Sequence, residues 1–336
     1  MDTAPIEEPL QYDAKVPAPA DASRFPSKVG VVALALVVLA GGTIALEYSS
    51  VGTPRAQTAA IETAADPFAG ISLIGKAAEV VDIKTGTTLF ELNPDVQLPL
   101  ASLTKVPLVL AVSEVLRPDA VITIPYDTAP KGSSERLGKG EKWRVADVIS
   151  FTLVASSNGG ADILATAANA DLHARYPQSP DTSRADGATL WRMNDLAKTL
   201  GLTRTYFLNA SGLDLSLTQS GAYGSARDMT RLFAYAASAN PGLFAGTARD
   251  GVLLTSADGG SQTSAFNTND AQGTIQGLIM GKTGFTDLAG GNLVVVFDVG
   301  LAHPVVAVVL GSTEAGRFTD MQKLVDAARI AVSQGK

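Results

Sequence analysis

Ser102 and Lys105 stand in the segment Ser102-Leu103-Thr104-Lys105, which places a potential nucleophile three positions before a potential base. Residues three apart on a helix share one face, so the lysine amine can reach the serine hydroxyl. A lysine can activate a serine if desolvation or a nearby cation lowers its pKa. A serine at a helix N-terminus also lies near free backbone N–H groups, which stabilise a developing anion. The spacing favours serine acyl transfer, although alone it is more typical of a helix cap and a surface lysine.

Histidine and cysteine, which serve as base or nucleophile in many acyl-transfer enzymes, are scarce in this chain. The absence of cysteine excludes thiolate catalysis, disulfides and cysteine-type metal sites. The two histidines are His173, in a polar stretch of small residues, and His303, which precedes Pro304 between two apolar runs. We interpret both as structural or exposed. A Ser-His-Asp triad and a histidine-based metal site are therefore not expected.

Two further polar segments follow in the sequence. In Ser156-Ser157-Asn158 the hydroxyl and the amide are suited to relaying a proton to a leaving amine and holding a substrate amide. In Lys282-Thr283-Gly284 a cation and a hydroxyl on a strand edge, with glycine permitting close approach, suit a carboxylate. Singly, each is also typical of a turn or cap. The earlier copy Lys84-Thr85-Gly86 lies between two short strands and predicts a hairpin turn.

In this order, the three segments correspond to the Ser-x-x-Lys, Ser-Asp-Asn and Lys-Thr-Gly signature of class A β-lactamases and penicillin-binding proteins, with Ser157 in place of the aspartate. The sequence resembles the D-alanyl-D-alanine carboxypeptidases among the low-molecular-mass penicillin-binding proteins, peptidase family S11. The resemblance covers roughly residues 70–332. The similar segments are Leu100–Lys105, Gly132-Ser133-Ser134 with Gly140-Glu141, Asn209–Asp214, Asn267-Thr268-Asn269 and Lys282–Asp287.

The resemblance implies a serine peptidase mechanism. Ser102 would attack the carbonyl of a terminal D-Ala-D-Ala peptide in peptidoglycan, with Lys105 as general base. Ser156 and Asn158 would assist proton transfer and substrate binding. D-Ala would leave, and water would hydrolyse the acyl-enzyme without any metal or organic cofactor. β-Lactams, which mimic the substrate, should acylate Ser102 as inhibitors.

The resemblance also implies the binding residues. Lys282 and Thr283, followed by Gly284, would bind the terminal carboxylate of the substrate. The backbone N–H groups of Ser102 and Phe285 would form the oxyanion hole.

Other functions remain open beside the carboxypeptidase. A D,D-endopeptidase that cuts cross-links would share every motif. A class A-like β-lactamase requires a glutamate in a Glu-x-x-Leu-Asn context, and residues 181–200 contain no glutamate. An inactive cell-wall-binding scaffold could retain the fold, but all the expected catalytic side chains are present here.

The apolar run Val29–Leu46 has eighteen residues without a charge and predicts a transmembrane helix. A cleaved signal peptide is the alternative. More basic residues precede the run than follow it, so the positive-inside rule places the N-terminus in the cytoplasm. We expect a single-pass protein of the bacterial cell membrane with its catalytic domain outside the cytoplasm. The flanking basic residues are Lys15, Arg24 and Lys28 before the run and Arg55 after it.

Composition divides the rest of the chain. Residues 1–28, rich in Pro, Ala and acidic residues, predict a disordered cytoplasmic arm, and residues 47–69 predict a linker. Residues 70–336 predict one catalytic domain. A formal net charge of −7 argues against nucleic acid as a partner.

Periodicity predicts the strands that position the catalytic residues. Ala77–Asp82 and Thr87–Leu92 predict a β-hairpin, and the apolar runs Leu293–Val299 and Val305–Leu310 predict buried strands. Strands at both ends of a helical middle predict an α+β domain whose terminal strands share one sheet. This agrees with the β-lactamase/transpeptidase-like fold, an antiparallel sheet plus a helical region, that the resemblance implies.

A helix over Ser102–Leu116 is predicted to carry the nucleophile. Pro107 lacks an N–H inside it, and a 3₁₀ or irregular first turn would accommodate this proline. Two segments depart from the family pattern: His173–Asp186 looks like a polar insertion, and Ser220–Ser225 stands where a histidine-containing stretch is expected. The other predicted helices are Val145–Val154, Gly160–Ala170, Leu190–Leu200, Ala226–Ser238 and Arg317–Val332.

Overall fold

The computed structural model describes residues 65–131, 133, 135–180 and 184–335. The predicted arm, the predicted membrane anchor and residues 47–64 of the predicted linker lie outside the described residues, as do Gly132 and Ser134. Within the described ranges, no helix is both long and apolar enough to cross a bilayer.

A five-stranded antiparallel sheet, in the order β10-β11-β12-β1-β2, forms the centre of the structure. Its first and last strands in sequence are neighbours, with Ala77 opposite Leu310 and Asp82 opposite Val305. This confirms the prediction that strands from both ends of the domain share one sheet. The strands are β1 (Ala77–Asp82), β2 (Thr88–Leu92), β3 (Leu98–Pro99), β4 (Val121–Thr123), β5 (Lys142–Arg144), β6 (Tyr206–Phe207), β7 (Ala222–Gly224), β8 (Gly251–Thr255), β9 (Gln262–Phe266), β10 (Leu278–Thr286), β11 (Gly290–Asp298) and β12 (Pro304–Ser312).

Seven helices occur in the described ranges, and six of them lie between β2 and β10 in the sequence. Two short 3₁₀ turns, Ala101–Thr104 and Ala245–Ala248, complete the helical part. The α+β class predicted from sequence is therefore confirmed. The helices are α1 (Lys105–Ser113), α2 (Val145–Val154), α3 (Asn158–Arg175), α4 (Gly187–Thr199), α5 (Ala226–Ala239), α6 (Pro241–Phe244) and α7 (Gly316–Ser333).

The sheet is covered on both faces, which explains why its inner strands are apolar at consecutive positions. In β11, Val294 and Val296 point into the core shared with the central helices. Their neighbours Leu293, Val295 and Phe297 point to the other face, where α7 packs. Side chains alternate across a strand, so a strand buried on both faces requires an unbroken run of β-branched and apolar residues.

One sequence expectation needs correction. Helix α3 extends to Arg175, so His173, placed in a polar insertion, belongs to the last turn of that helix. The Ala-rich segment before it has high helix propensity and continues the helix. Tyr176 precedes Pro177, which disfavours a helical conformation at residue 176 and ends the element there.

Candidate active site

Ser102 lies in the 3₁₀ turn Ala101–Thr104, which leads directly into α1. Ala101 has a φ of 49°, a left-handed conformation that is uncommon for a residue with a side chain. Pro107 is the third residue of α1, where a backbone N–H would have no intrahelical partner in any case. The predicted irregular first turn is thus present, and it projects Ser102 from the start of a buried helix.

The Lys105 amine is buried and makes three hydrogen bonds. Its Nζ lies 2.8 Å from Ser102 Oγ, 2.7 Å from Asn158 Oδ1 and 2.8 Å from the Ser211 carbonyl oxygen. Burial lowers the pKa of Lys105 to about 7, with Asp162 opposing the shift. Two of the partners, the amide and carbonyl oxygens, can only accept. A neutral amine would therefore give its two protons to them and direct its lone pair at the Ser102 hydroxyl.

Lys282, the second buried lysine of the site, lies in β10. Its Nζ donates to Ser156 Oγ at 2.8 Å and to the Thr283 carbonyl at 2.9 Å. Burial holds the pKa of Lys282 well below its usual range, and the nearby charges of Lys105 and Arg317 lower it further. Ser156 occupies a left-handed backbone conformation, with φ of 55°, between α2 and α3. Two of the predicted segments are thus joined by a hydrogen bond between side chains.

Ser157, the remaining residue of the Ser-Ser-Asn segment, immediately precedes α3. Ser157 caps this helix, its Oγ accepting from the Gly160 N–H at 3.1 Å. The helix therefore starts at Asn158 and fixes the backbone of this residue beside Lys105. All three predicted segments meet in one site.

Strand β10 is an edge strand of the five-stranded sheet and passes close to the nucleophile. A Cβ built on Gly284 would lie 2.7 Å from the Leu100 carbonyl oxygen and 3.3 Å from the Ser102 nitrogen. Thr283 Oγ1 lies 2.5 Å from Thr268 Oγ1, which comes from the Asn-Thr-Asn segment. The glycine is required for the close approach of β10 to the backbone of Ser102.

Arg317, at the start of α7, was not identified from sequence as a site residue. It is buried, and its Nη1 donates to the Gly284 carbonyl at 3.0 Å. Its Nε has no hydrogen-bond partner among the described residues. Nothing in the sequence around residue 317 distinguishes this arginine from others at helix ends, so no local signal could have revealed it.

Neither histidine contacts the candidate catalytic side chains in the described residues. His303 Nε2 lies 2.7 Å from Asp82 Oδ2, and His173 Nδ1 lies 2.9 Å from Ser179 Oγ. Both contacts are structural, as predicted. Among the residues that the structure describes, no group of three His, Asp or Glu side chains is arranged to hold a metal ion.

Known sequences resemble this chain over most of the described domain. A family model described as D-alanyl-D-alanine carboxypeptidase matches residues 62–314. D-alanyl-D-alanine carboxypeptidase DacF of Bacillus subtilis is 28% identical over 263 residues, covering 75% of this chain and 61% of that protein. A D-alanyl-D-alanine endopeptidase of Pseudomonas aeruginosa is 29% identical over 180 residues, covering 52% of each chain. This chain thus spans 61% and 52% of the lengths of these two relatives.

A solved structure shares the fold. Penicillin-binding protein D2 from Listeria monocytogenes, in its ampicillin-bound form, has a TM-score of 0.62 and 29% sequence identity to this chain. The match covers 76% of this chain and 98% of that one.

Proposed function

The chain belongs to the D-alanyl-D-alanine carboxypeptidase family of serine peptidases, whose model matches residues 62–314, and we propose that it is a serine carboxypeptidase that removes the terminal D-Ala from peptidoglycan stem peptides. The membership confirms the resemblance predicted from sequence. One observation carries the proposal: the buried Lys105 amine lies 2.8 Å from Ser102 Oγ and is held on its other sides by acceptors. This arrangement activates a serine near neutral pH.

In the proposed reaction, neutral Lys105 takes the Ser102 proton as Oγ attacks the carbonyl carbon of the penultimate D-Ala. The backbone N–H groups of Ser102 and Phe285 stabilise the oxyanion. The close passage of Gly284 by the Ser102 nitrogen supports this pairing. The proton taken by Lys105 is relayed through the Ser156 hydroxyl, which is hydrogen-bonded to Lys282, to the leaving D-Ala nitrogen. Water then hydrolyses the ester on Ser102.

The substrate carboxylate is proposed to lie against Lys282, Thr283 and Arg317. Within the described structure neither Lys282 nor Arg317 forms an ion pair, although both are buried. Burying a cation without a counter-ion is costly, and a bound carboxylate supplies one. This arrangement favours substrates with a free C-terminal carboxylate, which distinguishes a carboxypeptidase from a general amidase.

Fluorescent-penicillin labelling and D-Ala release test the function. We expect wild-type protein to form a covalent penicillin adduct and to release D-Ala from a synthetic pentapeptide ending in D-Ala-D-Ala. Ser102→Ala should do neither while keeping the same thermal unfolding midpoint within a few degrees. Folded wild-type protein that forms no adduct and releases no D-Ala would contradict the proposal and favour a wall-binding scaffold.

A D,D-endopeptidase is the second candidate, because the P. aeruginosa relative carries that name. Both reactions would use the same acyl-enzyme and differ in the leaving amine. Purified cross-linked muropeptide dimers and pentapeptide monomers separate them. Cleavage of the dimer faster than release of free D-Ala would assign the endopeptidase. Rapid turnover of penicillin without D-Ala release would assign a β-lactamase.

We also propose that the domain faces the cell wall, anchored through Val29–Leu46. The eighteen uncharged residues and the excess of basic residues before them support this topology. Protease treatment of spheroplasts provides the test. The domain should be digested from the outside while the anchor stays in the membrane fraction, and protection of the domain would reverse the topology.

A further inference from the structure

The Asp214 carboxylate joins two segments that both contact the backbone beside the nucleophile. Its Oδ1 accepts from Thr286 Oγ1 at 3.0 Å, and its Oδ2 accepts from the Leu288 N–H at 3.2 Å. Thr286 Oγ1 in turn accepts from the Ala289 N–H at 3.2 Å. One carboxylate thus holds the turn between β10 and β11 against the loop Asn209–Asp214, and its contact with Thr286 spans 72 residues of sequence.

The loop Asn209–Asp214 reaches the general base and the nucleophile turn. The Ser211 carbonyl accepts from Lys105 Nζ at 2.8 Å. Gly212 has a φ of 82°, and a Cβ built on it would lie 1.9 Å from the Ala101 carbonyl oxygen. Asn209 stiffens the loop, since its Oδ1 accepts from the Gly212 N–H at 2.7 Å. The loop therefore packs directly on the backbone that precedes Ser102.

The end of β10 also reaches the nucleophile backbone. Gly284 approaches the Ser102 nitrogen, and Phe285, whose N–H belongs to the proposed oxyanion hole, immediately precedes Thr286. Arg317 holds the Gly284 carbonyl on the amino side of Phe285. Asp214 holds Thr286 on its carboxyl side. The backbone around Phe285 is thus restrained at both neighbours.

We propose that Asp214 is a positioning residue, which keeps the Phe285 backbone N–H aimed at the oxyanion that forms on the carbonyl attacked by Ser102. The inference rests on the proposed function. A carboxylate accepting two hydrogen bonds stabilises one conformation of the turn, so the donor is in place before charge develops. Removing an oxyanion donor costs about 100- to 1,000-fold in rate. Asp214→Ala loosens the donor without removing it, so a loss of roughly 10- to 100-fold in acylation is expected.

The test compares Asp214→Ala, Asp214→Asn and Thr286→Val with wild type by stopped-flow acylation with fluorescent penicillin. Saturation kinetics separate the dissociation constant of the non-covalent complex from the acylation rate constant. Asp214→Ala and Thr286→Val should lower the rate constant and leave the dissociation constant within about threefold, as expected for a contact that acts in the transition state. Asp287→Asn, which removes an adjacent exposed carboxylate, is the matched control and should acylate like wild type.

The double variant Asp214→Ala/Thr286→Val decides whether the two side chains act as a unit. Its loss of acylation rate should be well below the product of the two single losses, because both changes remove the same contact between Asp214 and Thr286. If Asp214→Ala fails to fold, Asp214→Asn provides the test. The amide oxygen of the asparagine can still accept from Thr286 Oγ1, but its NH₂ group cannot accept from the Leu288 N–H. A partial loss of rate is expected for it.

Three results would overturn the inference. They are an Asp214 variant that acylates within twofold of wild type, a loss confined to the dissociation constant, and rate losses that multiply in the double variant. In each case wild type still acylates, so the proposed function stands. Wild-type protein that forms no adduct at all would instead remove the proposed function, and this inference with it.

Discussion

The Lys282 amine donates a hydrogen bond to Ser156 Oγ at 2.8 Å, which ties the Lys-Thr-Gly strand to the Ser-Ser-Asn turn across 126 residues of sequence. Lys105 makes the corresponding contact with Ser102 at the same distance, 2.8 Å. The site therefore contains two buried lysines, each directed at a serine. The acceptor oxygens around Lys105 suit a neutral base. Lys282 lacks an ion-pair partner among the described residues and suits an incoming anion.

Lys282→Gln should abolish the preference for a free C-terminal carboxylate. In wild type, a peptide ending in D-Ala-D-Ala should be cleaved roughly 100-fold better than its C-terminal carboxamide, since a desolvated charge pair is worth a few kcal/mol. In Lys282→Gln the two peptides should be cleaved at similar rates. The measurement is kcat/KM for both peptides with both enzymes. A variant that kept the wild-type preference would show that Lys282 does not bind the carboxylate, and it would leave Arg317 as the proposed cation.

The protein should also take up protons from solution when substrate binds. Burial lowers the pKa of Lys282 in the free protein, and a carboxylate at hydrogen-bond distance raises it again. Calorimetric titration of Ser102→Ala with a carboxylate-terminated peptide, in buffers of different ionisation enthalpy, measures this uptake. The uptake should disappear in Ser102→Ala/Lys282→Gln. Equal uptake in both proteins would assign the proton to another group.

The rate of acylation should rise with pH through about 7. Burial lowers the pKa of Lys105 to about 7, so the neutral amine that accepts the Ser102 proton is lost below that pH. The pH dependence of the penicillin acylation rate constant measures this decrease in rate below about pH 7, the acid limb of the profile. Asp119→Asn, far out on the exposed surface, should leave it unchanged. An acid limb that persisted unchanged in Lys105→Ala would exclude Lys105 as the base.

The same shift predicts a pH-dependent difference in stability. The folded-state pKa of Lys105 lies below its unfolded value, so the unfolded chain binds more protons between about pH 7 and pH 10 and stability rises with pH there. The unfolding free energy of Lys105→Met relative to wild type should therefore be highest below pH 7. Urea unfolding at several pH values measures the difference, which should shrink as pH approaches 10. A constant difference would mean that buried charge is not its cause.

The three candidate segments could be found in the sequence because they combine reactive side chains at fixed short spacings. Ser102 and Lys105 lie one helical turn apart, and Lys282 was placed on a strand edge. The contact of Lys105 with Ser211 was not predicted, because it uses a backbone carbonyl that any residue type supplies. The side-chain contact of Asp214 with Thr286 joins two segments that were both recognised, but the pairing depends on tertiary packing.

The fold was predictable where burial imposes a strict period. Strand β1 and helix α2 have the predicted bounds, since apolar runs with clear turn signals define them. Helix α3 was predicted too short at both ends. Its first residues, Asn158 and Gly159, have low helix propensity but follow the Ser157 cap, and tertiary packing decides the outcome. Arg317 lies in a predicted helix, but only the sheet topology brings that helix end to Gly284.

Asp82 should contribute to stability above its unfolded pKa. Burial pushes the pKa of Asp82 upward, but hydrogen bonds from His303, Thr85 and Lys84 outweigh burial and hold the pKa below its usual range. A carboxylate with a depressed folded-state pKa stabilises the fold above about pH 4, and this contribution is lost as the pH falls through the folded value. Asp82→Asn should therefore be destabilised at pH 7 by roughly 1–3 kcal/mol. Urea midpoints at pH 7 and at pH 3 measure the effect.

Comparing stability at the two pH values tests whether ionisation of Asp82 causes the destabilisation. The difference in urea midpoint between Asp82→Asn and wild type should narrow at pH 3. Folded Asp82→Asn should be acylated at the wild-type rate, because the contacts of Asp82 lie outside the site. Asp119→Asn, whose carboxylate pairs with Arg117 on the exposed surface, is the control and should change little. A difference in urea midpoint that did not depend on pH would indicate lost packing at the hairpin instead.

Gly284→Ala should nearly abolish acylation while leaving the protein folded. The added Cβ would lie 2.7 Å from the Leu100 carbonyl and 3.3 Å from the Ser102 nitrogen, and both neighbours are backbone atoms that cannot rotate away. The strand must move outward by several tenths of an ångström, which carries the Phe285 N–H away from the forming oxyanion. We expect a loss of at least about 100-fold in the acylation rate constant. Gly273→Ala, where a Cβ would meet nothing within 4 Å, is the matched control. Stopped-flow labelling with fluorescent penicillin measures the acylation rate constant, and thermal unfolding shows whether the variant is folded. A folded Gly284→Ala that acylated at the wild-type rate would show that β10 does not supply the oxyanion donor.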